Sequence, residues 1–282
     1  MVNFFKYVFI AMLPAVTMVL GAVAVQASPA FGSASSALLV LANGTVVGFF
    51  LFLMILRSRA RTGEHLPVLT AVIAISSIGA VIMARDIGPL LLLAATTPVV
   101  GWLLYDYWYS SLGRDAPSSL VVGAPLPSFV LEEEDGASVA SDTFRGKPSL
   151  LLFYRGNWCP LCMAQIKEIA AQYKALSDRG VQVVLISPQS HKHTRKLAAQ
   201  FDVPFRFLVD KGNRAARQLG LDVQFGIPMG MQVLGYASET VMPTALITDR
   251  EGVIRFADLT DNYRVRPEPG TFLRVLDEEM AG

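Results

Sequence analysis

The sequence predicts an α/β domain, with a central mixed sheet flanked by helices, preceded by an all-α membrane region of about four helices. Three observations support this prediction. The chain is 52% hydrophobic with a mean hydropathy of +0.44, which is too apolar for an ordinary soluble protein. All but eight of its 24 basic and 23 acidic residues follow Ser110. Beyond residue 123, strand-length apolar runs alternate with helical periodicity, a pattern typical of α/β layers.

The first region, residues 1–110, contains four apolar stretches of about the 20 residues that cross a bilayer. The first stretch also fits a cleaved signal peptide, because Lys6 precedes it and a small residue, Ala27, follows it. We favour a retained span, since the run is long for a signal sequence and more spans follow. The predicted spans are approximately residues 7–25, 37–56, 66–83 and 88–108.

The loops between the predicted spans suggest a topology. Arg57, Arg59 and Arg61 form a basic cluster in the second loop, whereas the first loop carries no charge. The positive-inside rule places this cluster, and with it the C-terminal domain, in the cytoplasm. We therefore expect a multi-pass protein of a bacterial inner membrane. A domain facing an oxidising exterior is the alternative, because a disulfide is easier to keep there.

The predicted spans contain no cysteine and no deeply placed ionisable residue, the usual marks of electron relays and ion pathways. We interpret the membrane region as an anchor or a docking surface for a membrane partner. The net charge of +1 gives no reason to expect a nucleic-acid partner.

Residues 111–122, with Gly113 and Pro117, are predicted to be a linker, and residues 123–282 the α/β domain. Its first strands flank a turn at Asp135-Gly136, and the helix that follows the central strand is expected to end at Gly180. The later elements are expected at 181–187 (strand), 191–200 (helix), 205–209 (strand), 213–219 (helix) and 271–280 (helix).

The most informative stretch is the apolar strand Leu150–Tyr154, followed by a Cys-x-x-Cys at the head of a helix. Cys159 is expected at the first helical turn, where free backbone N–H groups and the helix dipole favour a thiolate. Cys162 lies one turn later, close enough to form a disulfide with it. Pro160 suits the first turn, because it lacks an N–H that the helix does not use there.

The cysteine pair has two other interpretations. Structural zinc needs four ligands, and the chain offers only these two cysteines and three histidines. His191 and His193 are spaced more closely than the usual histidine pair, so we predict no metal site. The second interpretation is a pair of buried structural cysteines, since free cysteine often behaves as a small core residue.

The stretch Phe153–Cys162 resembles the signature of peroxiredoxin-like proteins, in the alkyl hydroperoxide reductase and thiol-specific antioxidant branch of the thioredoxin superfamily. The stretches Gly123–Phe129, Phe207–Asp210 and Pro243–Arg255 resemble the family in the same order, so the resemblance covers roughly residues 123–280. It implies a thioredoxin-like fold and a redox-active disulfide, without a cofactor.

The resemblance also implies supporting residues around Cys159 and Cys162. Pro243, followed by Thr244, corresponds to the cis-proline that packs against the disulfide in the thioredoxin fold; a trans proline that opens an edge strand is the alternative. Trp158 precedes the first cysteine, and Arg155 is a candidate for lowering the pKa of a thiol, although it also fits an exposed turn residue.

The sequence departs from the peroxidase members of the family. Those enzymes carry a proline and a threonine seven and three positions before the reacting cysteine. Counting from Cys162, these positions hold Arg155 and Cys159. Pro243 stands where those enzymes have a peroxide-binding arginine.

The first hypothesis is therefore a membrane-anchored thiol–disulfide oxidoreductase, in which Cys159 attacks a disulfide-bearing protein and Cys162 resolves the mixed disulfide. The alternative is a thiol peroxidase, in which Cys162 attacks a hydroperoxide and Cys159 resolves the sulfenic acid. Both need an external dithiol as electron donor. A non-catalytic membrane scaffold with a redoxin fold is the third hypothesis.

Residues 221–240 interrupt the alternation of strands and helices with a glycine-rich, methionine-bearing insertion. Long irregular loops in compact domains are often functional. We expect this insertion either to overhang the cysteines as a substrate or partner surface, or to be a plain excursion.

Overall fold

The computed structural model describes residues 2–56, 60–115 and 119–281, and its N-terminal part is a bundle of apolar helices. Pro67 and Pro89 each open a helix, a position where the missing backbone N–H costs nothing. The helices are α1 (Val2–Gln26), α2 (Ser28–Phe31), α3 (Ser33–Leu56), α4 (Pro67–Ile82) and α5 (Pro89–Leu103), and α5 continues as a π-helical segment over Leu104–Tyr109.

The connections between these helices lie at two opposite ends of the bundle. At one end, the backbone N–H of Arg85 donates to the carbonyl of Phe31 at 3.1 Å. At the other end, the N–H of Thr62 donates to the carbonyl of Arg264 at 3.0 Å, so the connection between α3 and α4 contacts the C-terminal domain. The start of α1, this connection and the end of α5 therefore share one side with that domain.

In the described part of the chain, three helices are long and apolar enough to cross a membrane: Val2–Gln26, Ser33–Ile55 and Pro89–Tyr109. The predicted span at residues 66–83 forms the shorter apolar helix α4, of 16 residues. This length falls just below the roughly 17 residues that a straight span requires. Arg57, Arg59 and Pro117, which we assigned to the basic cluster and the linker, lie outside the described residues.

The C-terminal domain is built on a seven-stranded mixed sheet in the order β2-β1-β5-β4-β3-β8-β9, with β6 and β7 forming a separate antiparallel pair. The predicted α/β class, a central mixed sheet flanked by helices, is confirmed. The strands are β1 (Val130–Glu132), β2 (Ser138–Ala140), β3 (Ser149–Phe153), β4 (Gln182–Ser187), β5 (Arg206–Val209), β6 (Asp222–Val223), β7 (Thr240–Val241), β8 (Thr244–Thr248) and β9 (Ile254–Asp258). The helices are α6 (Pro160–Ala171), α7 (Tyr173–Asp178), α8 (His191–Ala198), α9 (Arg214–Gln218) and α10 (Pro269–Ala281).

Strand β3 lies at the centre of the sheet, parallel to β4 and antiparallel to β8, and all five of its residues are buried. Because side chains alternate along a strand, β3 contributes to two apolar clusters on opposite faces. Leu151 and Phe153 pack on the face covered by α9. Leu150 and Leu152 pack on the other face, in a cluster that continues through α6 and α10 into the helix bundle.

That second cluster makes the bundle and the domain one packed body. It contains Phe49, Trp102 and Tyr105 from the bundle together with Cys162 and Ile166 from α6. The apolar face of the sheet is therefore covered by its own helices and, beyond them, by the ends of α3 and α5.

A buried ion pair also joins the two parts. The Arg264 guanidinium contacts the Asp106 carboxylate, and their side chains are 0% and 1% exposed. Arg264 also donates to the carbonyl of Glu64 at 2.9 Å and to the hydroxyl of Ser110 at 2.9 Å. A buried charge is tolerated only when it is paired and hydrogen-bonded. The network around Arg264 therefore constrains the position of the domain relative to the bundle.

Asp106→Asn should destabilise this junction, because it leaves the charge of Arg264 buried without its counter-ion. We expect a loss of roughly 3–5 kcal/mol in the free energy of unfolding and faster proteolysis of the 111–122 segment. The matched control is Asp142→Asn, which removes an exposed partner of Arg145 and should cost less than about 1 kcal/mol. Equal losses in the two purified full-length variants would contradict a structural role for the buried pair.

Candidate functional site

The candidate redox site lies where β3 leaves the sheet and α6 begins. Cys159 is the N-cap residue of α6, with extended backbone angles of φ −85° and ψ 109°, and Pro160 is the first helical residue. Gly156 has φ +138°, and a Cβ there would lie 2.9 Å from the ring of Trp158. The turn therefore requires glycine at 156, because the indole occupies the space that a side chain would need.

The two cysteines are reduced and in contact. The thiol of Cys159 donates a hydrogen bond to the sulfur of Cys162, and their residues are 2% and 0% exposed. Nη2 of Arg266 lies 3.5 Å from Sγ of Cys162, and the backbone N–H of Arg155 also donates to this sulfur. Three donors therefore converge on Cys162.

This geometry makes the two thiols unequal. Burial alone would raise the pKa of Cys162. The hydrogen bond from Cys159, the charge of Arg266 and the backbone N–H of Arg155 outweigh burial and lower that pKa to about 5. Burial and the hydrogen bond that it donates to Cys162 raise the pKa of Cys159. The surroundings of the pair therefore favour a thiolate on Cys162 over one on Cys159.

Arg266 is held in place by a second buried side chain. Its Nη1 donates to Oε1 of Gln165 at 2.7 Å, and the two residues are 5% and 2% exposed. Gln165 lies three residues after Cys162 on α6, so both side chains lie on the same helix face. Sequence analysis missed Arg266 and Gln165. The only signal was a pair of arginines, Arg264 and Arg266, in the irregular stretch before the last helix.

Arg155 is buried and has several partners, so it is not an exposed turn residue. Its guanidinium lies 4.7 Å from the ring centre of Trp158 and 5.3 Å from that of Tyr263. It also donates to the carbonyl of Gly226 and hydrogen-bonds with Tyr109 at the end of α5. Arg155 thus connects the redox turn to the insertion and to the helix bundle.

Pro243 and Thr244 lie beside the end of β3, since Thr244 is paired with Phe153 in the sheet. The Met242–Pro243 peptide bond is trans, so the predicted cis-proline is wrong. Arg114 holds this turn by donating to the carbonyl of Pro243 at 2.9 Å and to the hydroxyl of Thr244 at 3.0 Å. These contacts occupy the polar groups of the turn without involving either cysteine.

Comparison with known proteins shows which family this part of the chain resembles. Residues 122–257 match the sequence model of the AhpC/TSA family. Peroxiredoxin Q, chloroplastic, of Populus jackii is 30% identical over 150 residues, which are 52% of this chain and 62% of that protein. Peroxiredoxin Q, chloroplastic, of Gentiana triflora is 32% identical over 114 residues, which are 39% of this chain and 51% of that protein. The matches thus span less than two thirds of the length of these relatives.

Among solved structures, Mycobacterium tuberculosis AhpC superposes with a TM-score of 0.45 at 20% identity, covering 57% of this chain and 94% of that one. The peroxidoxin BcpB of the same organism gives a TM-score of 0.46 at 17% identity, covering 56% and 96%. The matches in sequence support an AhpC/TSA-type, peroxiredoxin-like domain of the thioredoxin superfamily in the C-terminal part of the chain.

The positive charge of Arg266 should have a measurable effect on the titration of the Cys162 thiol. In Cys159→Ser the serine hydroxyl can still donate a hydrogen bond to Cys162. The absorbance of the Cys162 thiolate in this variant should increase with pH, with a midpoint near pH 5, because the pKa of Cys162 is about 5. Adding Arg266→Gln should raise this midpoint by roughly 1–3 pH units, because the thiolate loses a nearby positive charge. Arg266→Lys should restore part of the shift. The control, Arg274→Gln on the exposed side of α10, should leave the midpoint unchanged. An unchanged midpoint in Arg266→Gln would show that this arginine does not stabilise the thiolate.

Proposed function

We propose that this peroxiredoxin-like domain is a membrane-anchored thiol peroxidase in which Cys162 attacks a hydroperoxide and Cys159 resolves the product. The observation that carries the proposal is the contact of Cys162 with Arg266 and with the Arg155 backbone N–H. These donors stabilise a thiolate on the second cysteine of the pair, whereas thioredoxin-type exchange needs its thiolate on the first.

The proposed reaction is balanced in atoms and electrons and needs no cofactor. The Cys162 thiolate attacks one oxygen of the hydroperoxide, the O–O bond breaks, and the leaving oxygen takes a proton to become an alcohol or water. Cys162 is then a sulfenic acid. The thiol of Cys159 attacks that sulfur, releasing water and forming the Cys159–Cys162 disulfide. An external dithiol reduces the disulfide by exchange and becomes oxidised itself.

Burial of the pair also favours a small substrate. Cys159 and Cys162 are 2% and 0% exposed, so the disulfide of a folded protein could approach neither sulfur without rearrangement of the surrounding segments. A hydroperoxide group consists of two oxygen atoms and needs far less space. Because both sulfur atoms are buried, the turn between β3 and α6 must open before an external dithiol can reach the oxidised pair.

The domain departs from the peroxidase pattern, but the structure offers a substitute for one missing part. Pro243 replaces the expected arginine, and Arg266 brings a guanidinium to the reacting sulfur from a different segment. Cys159 stands where the family has threonine, and its thiol supplies a hydrogen bond to Cys162. In this proposal the same group also serves as the resolving thiol.

Thiol–disulfide exchange is the second candidate, favoured by the Cys-x-x-Cys spacing and by the position of Cys159 at the N-cap of α6. In that scheme Cys159 is the attacking thiol. The raised pKa of Cys159 and its burial weigh against it in the arrangement described.

The proposal places α1, α3 and α5 across the membrane, with the shorter α4 packed among them. Arg61, at the side of the bundle that contacts the domain, is paired with Glu168 on α6 and with Glu268. The connection between α3 and α4 therefore lies on the same side of the bundle as the redox domain. Because that connection is basic, we assign both to the cytoplasmic face of a bacterial inner membrane.

Single-turnover assays of the full-length protein separate the two cysteines. Cys162→Ser should reduce peroxide consumption to the uncatalysed background, because the attacking thiolate is absent. Cys159→Ser should consume one equivalent and then stop, leaving a sulfenic acid on Cys162 that dimedone traps. Catalytic peroxide consumption by Cys162→Ser would contradict the assignment.

The same variants distinguish the other hypotheses. A mixed disulfide trapped on Cys159 in Cys162→Ser, together with no peroxide consumption by the unmodified chain, would support thiol–disulfide exchange. A redox titration with no reversible pair between roughly −120 and −300 mV would support a non-catalytic scaffold.

Thiol labelling in intact cells tests the topology. Both native cysteines are buried, so the probe is a cysteine at exposed Gln218 on α9 in the Cys159→Ser/Cys162→Ser chain. A membrane-impermeant maleimide should label Gln218→Cys only after lysis. Ala30→Cys, exposed at the opposite end of the bundle, is the matched control and should be labelled in intact cells. The reverse pattern would place the redox domain outside the cytoplasm.

A further inference from the structure

Residues 223–238 form a segment without a single charged side chain, in a domain that otherwise carries most of the charge of the protein. We refer to residues 223–238 as the neutral segment. It begins at Val223, the last residue of β6, and ends before β7, and it contains one short 3-10 turn, Met231–Leu234. Sixteen consecutive uncharged residues are unusual for the water-exposed surface of a domain, where charged residues are common.

The neutral segment exposes several large apolar side chains. Val233 is 89% exposed and Leu234 61%, while Met229 and Phe225 are 41% and 40% exposed. Each of these is unremarkable alone, but four within ten residues and without an intervening charge form an apolar patch. Such a patch needs an apolar environment outside the chain.

The position of the patch indicates which environment that is. The ring of Phe225 packs edge-on against Phe4 and Tyr7 of α1, with ring centres 5.6 and 5.8 Å apart. The backbone N–H of Met229 donates to the carbonyl of Tyr7 at 3.2 Å. Tyr7 is where the apolar part of α1 begins, so the neutral segment lies beside the first turns of a helix that we assign to the membrane.

Neighbouring aromatic residues lie at the same level. Phe9 of α1 packs against Trp108 and Tyr109 at the end of α5, with ring centres 5.6 and 6.1 Å apart. Lys6 lies over the Trp108 ring and donates to the carbonyl of Ser111 at 2.6 Å. Tryptophan, tyrosine and lysine are the residues that anchor helices at the boundary between lipid headgroups and acyl chains.

From these observations we infer that the neutral segment is a lipid-binding surface, which rests in the boundary between headgroups and acyl chains next to α1. The inference rests on the membrane assignment in the proposed function. The absence of charge avoids the cost of burying ions near the acyl chains, and the exposed valine, leucine, methionine and phenylalanine contribute apolar area.

The other side of the neutral segment contacts the redox site. The carbonyl of Gly226 accepts a hydrogen bond from Arg155, whose backbone N–H donates to Cys162. A small cavity lies between the segment and α1, and Lys6, Tyr109 and Arg155 line it. Contact with lipid would therefore fix the position of a segment that forms one wall of the approach to Arg155.

Site-directed fluorescence in lipid nanodiscs tests the inference with the full-length protein. Val233→Cys, in the Cys159→Ser/Cys162→Ser chain, is labelled with an environment-sensitive fluorophore such as NBD. We expect a blue-shifted emission that falls by more than about half when lipids carrying a quencher near the headgroup are included. The positive control is Met18→Cys on the exposed face of α1, read with lipids that carry the quencher midway along the acyl chains, because Met18 lies about 16 Å along the helix from Tyr7. The negative control is Gln218→Cys, on the sheet face away from the bundle.

The controls separate two kinds of failure. Quenching at Met18 but not at Val233, with emission as in Gln218→Cys, would overturn the lipid-binding surface and leave the membrane assignment intact. No quenching at Met18 would overturn both. A blue-shifted label at Val233 that lipid quenchers do not reach, in a protein that is dimeric by mass, would assign the patch to a contact between two copies and also overturn the inference.

Discussion

A thiolate removed from water needs other groups to stabilise its charge, and the arrangement of residues around Cys162 in the candidate redox site satisfies this constraint. Cys162 is fully buried, so water cannot solvate its sulfur. The Arg266 guanidinium, the Arg155 backbone N–H and the Cys159 thiol take the place of water. Two of them come from the turn between β3 and α6, and Arg266 comes from the stretch before α10.

The same constraint explains why the helix bundle is more than a tether. Arg155 must adopt one backbone geometry for its N–H to point at Cys162, and its side chain is held by Tyr109 at the end of α5 and by Gly226 in the neutral segment. The bundle also continues the apolar cluster that surrounds the cysteines. Separation of the domain from the bundle would therefore expose apolar surface and release Arg155, whose backbone N–H contacts the sulfur of Cys162.

The sequence was informative where structure is determined locally. The alternation of strands and helices is set by short-range periodicity, and the class of the domain was predicted correctly from it. The length of α4 was overestimated, because the apolar run from Leu66 to Met83 includes residues that form the helix ends rather than the helix.

The parts of the site that depend on long-range contacts could not be predicted. Arg266 is 104 residues from Cys162, and no local pattern indicates that their side chains meet. From the sequence, Arg155 fitted an exposed turn residue as well as a residue beside the thiols. Its burial could not be predicted, since its partners Tyr109 and Gly226 belong to other segments. The cis-proline was inferred from resemblance alone, and the trans Met242–Pro243 bond shows that a shared motif does not fix local geometry.

The position of Arg266 explains one difference between this domain and the family that it resembles. The requirement at the reacting sulfur is for positive charge within a few ångströms, and Coulomb attraction does not depend on which strand or loop supplies it. Here the guanidinium comes from the irregular stretch before α10, which also contains Arg264 and its buried pair with Asp106. One short stretch thus carries the arginine at the thiolate and the arginine that docks the domain on the bundle. Displacement of this stretch would disturb both, so we infer that docking of the domain and the reactivity of Cys162 are physically coupled.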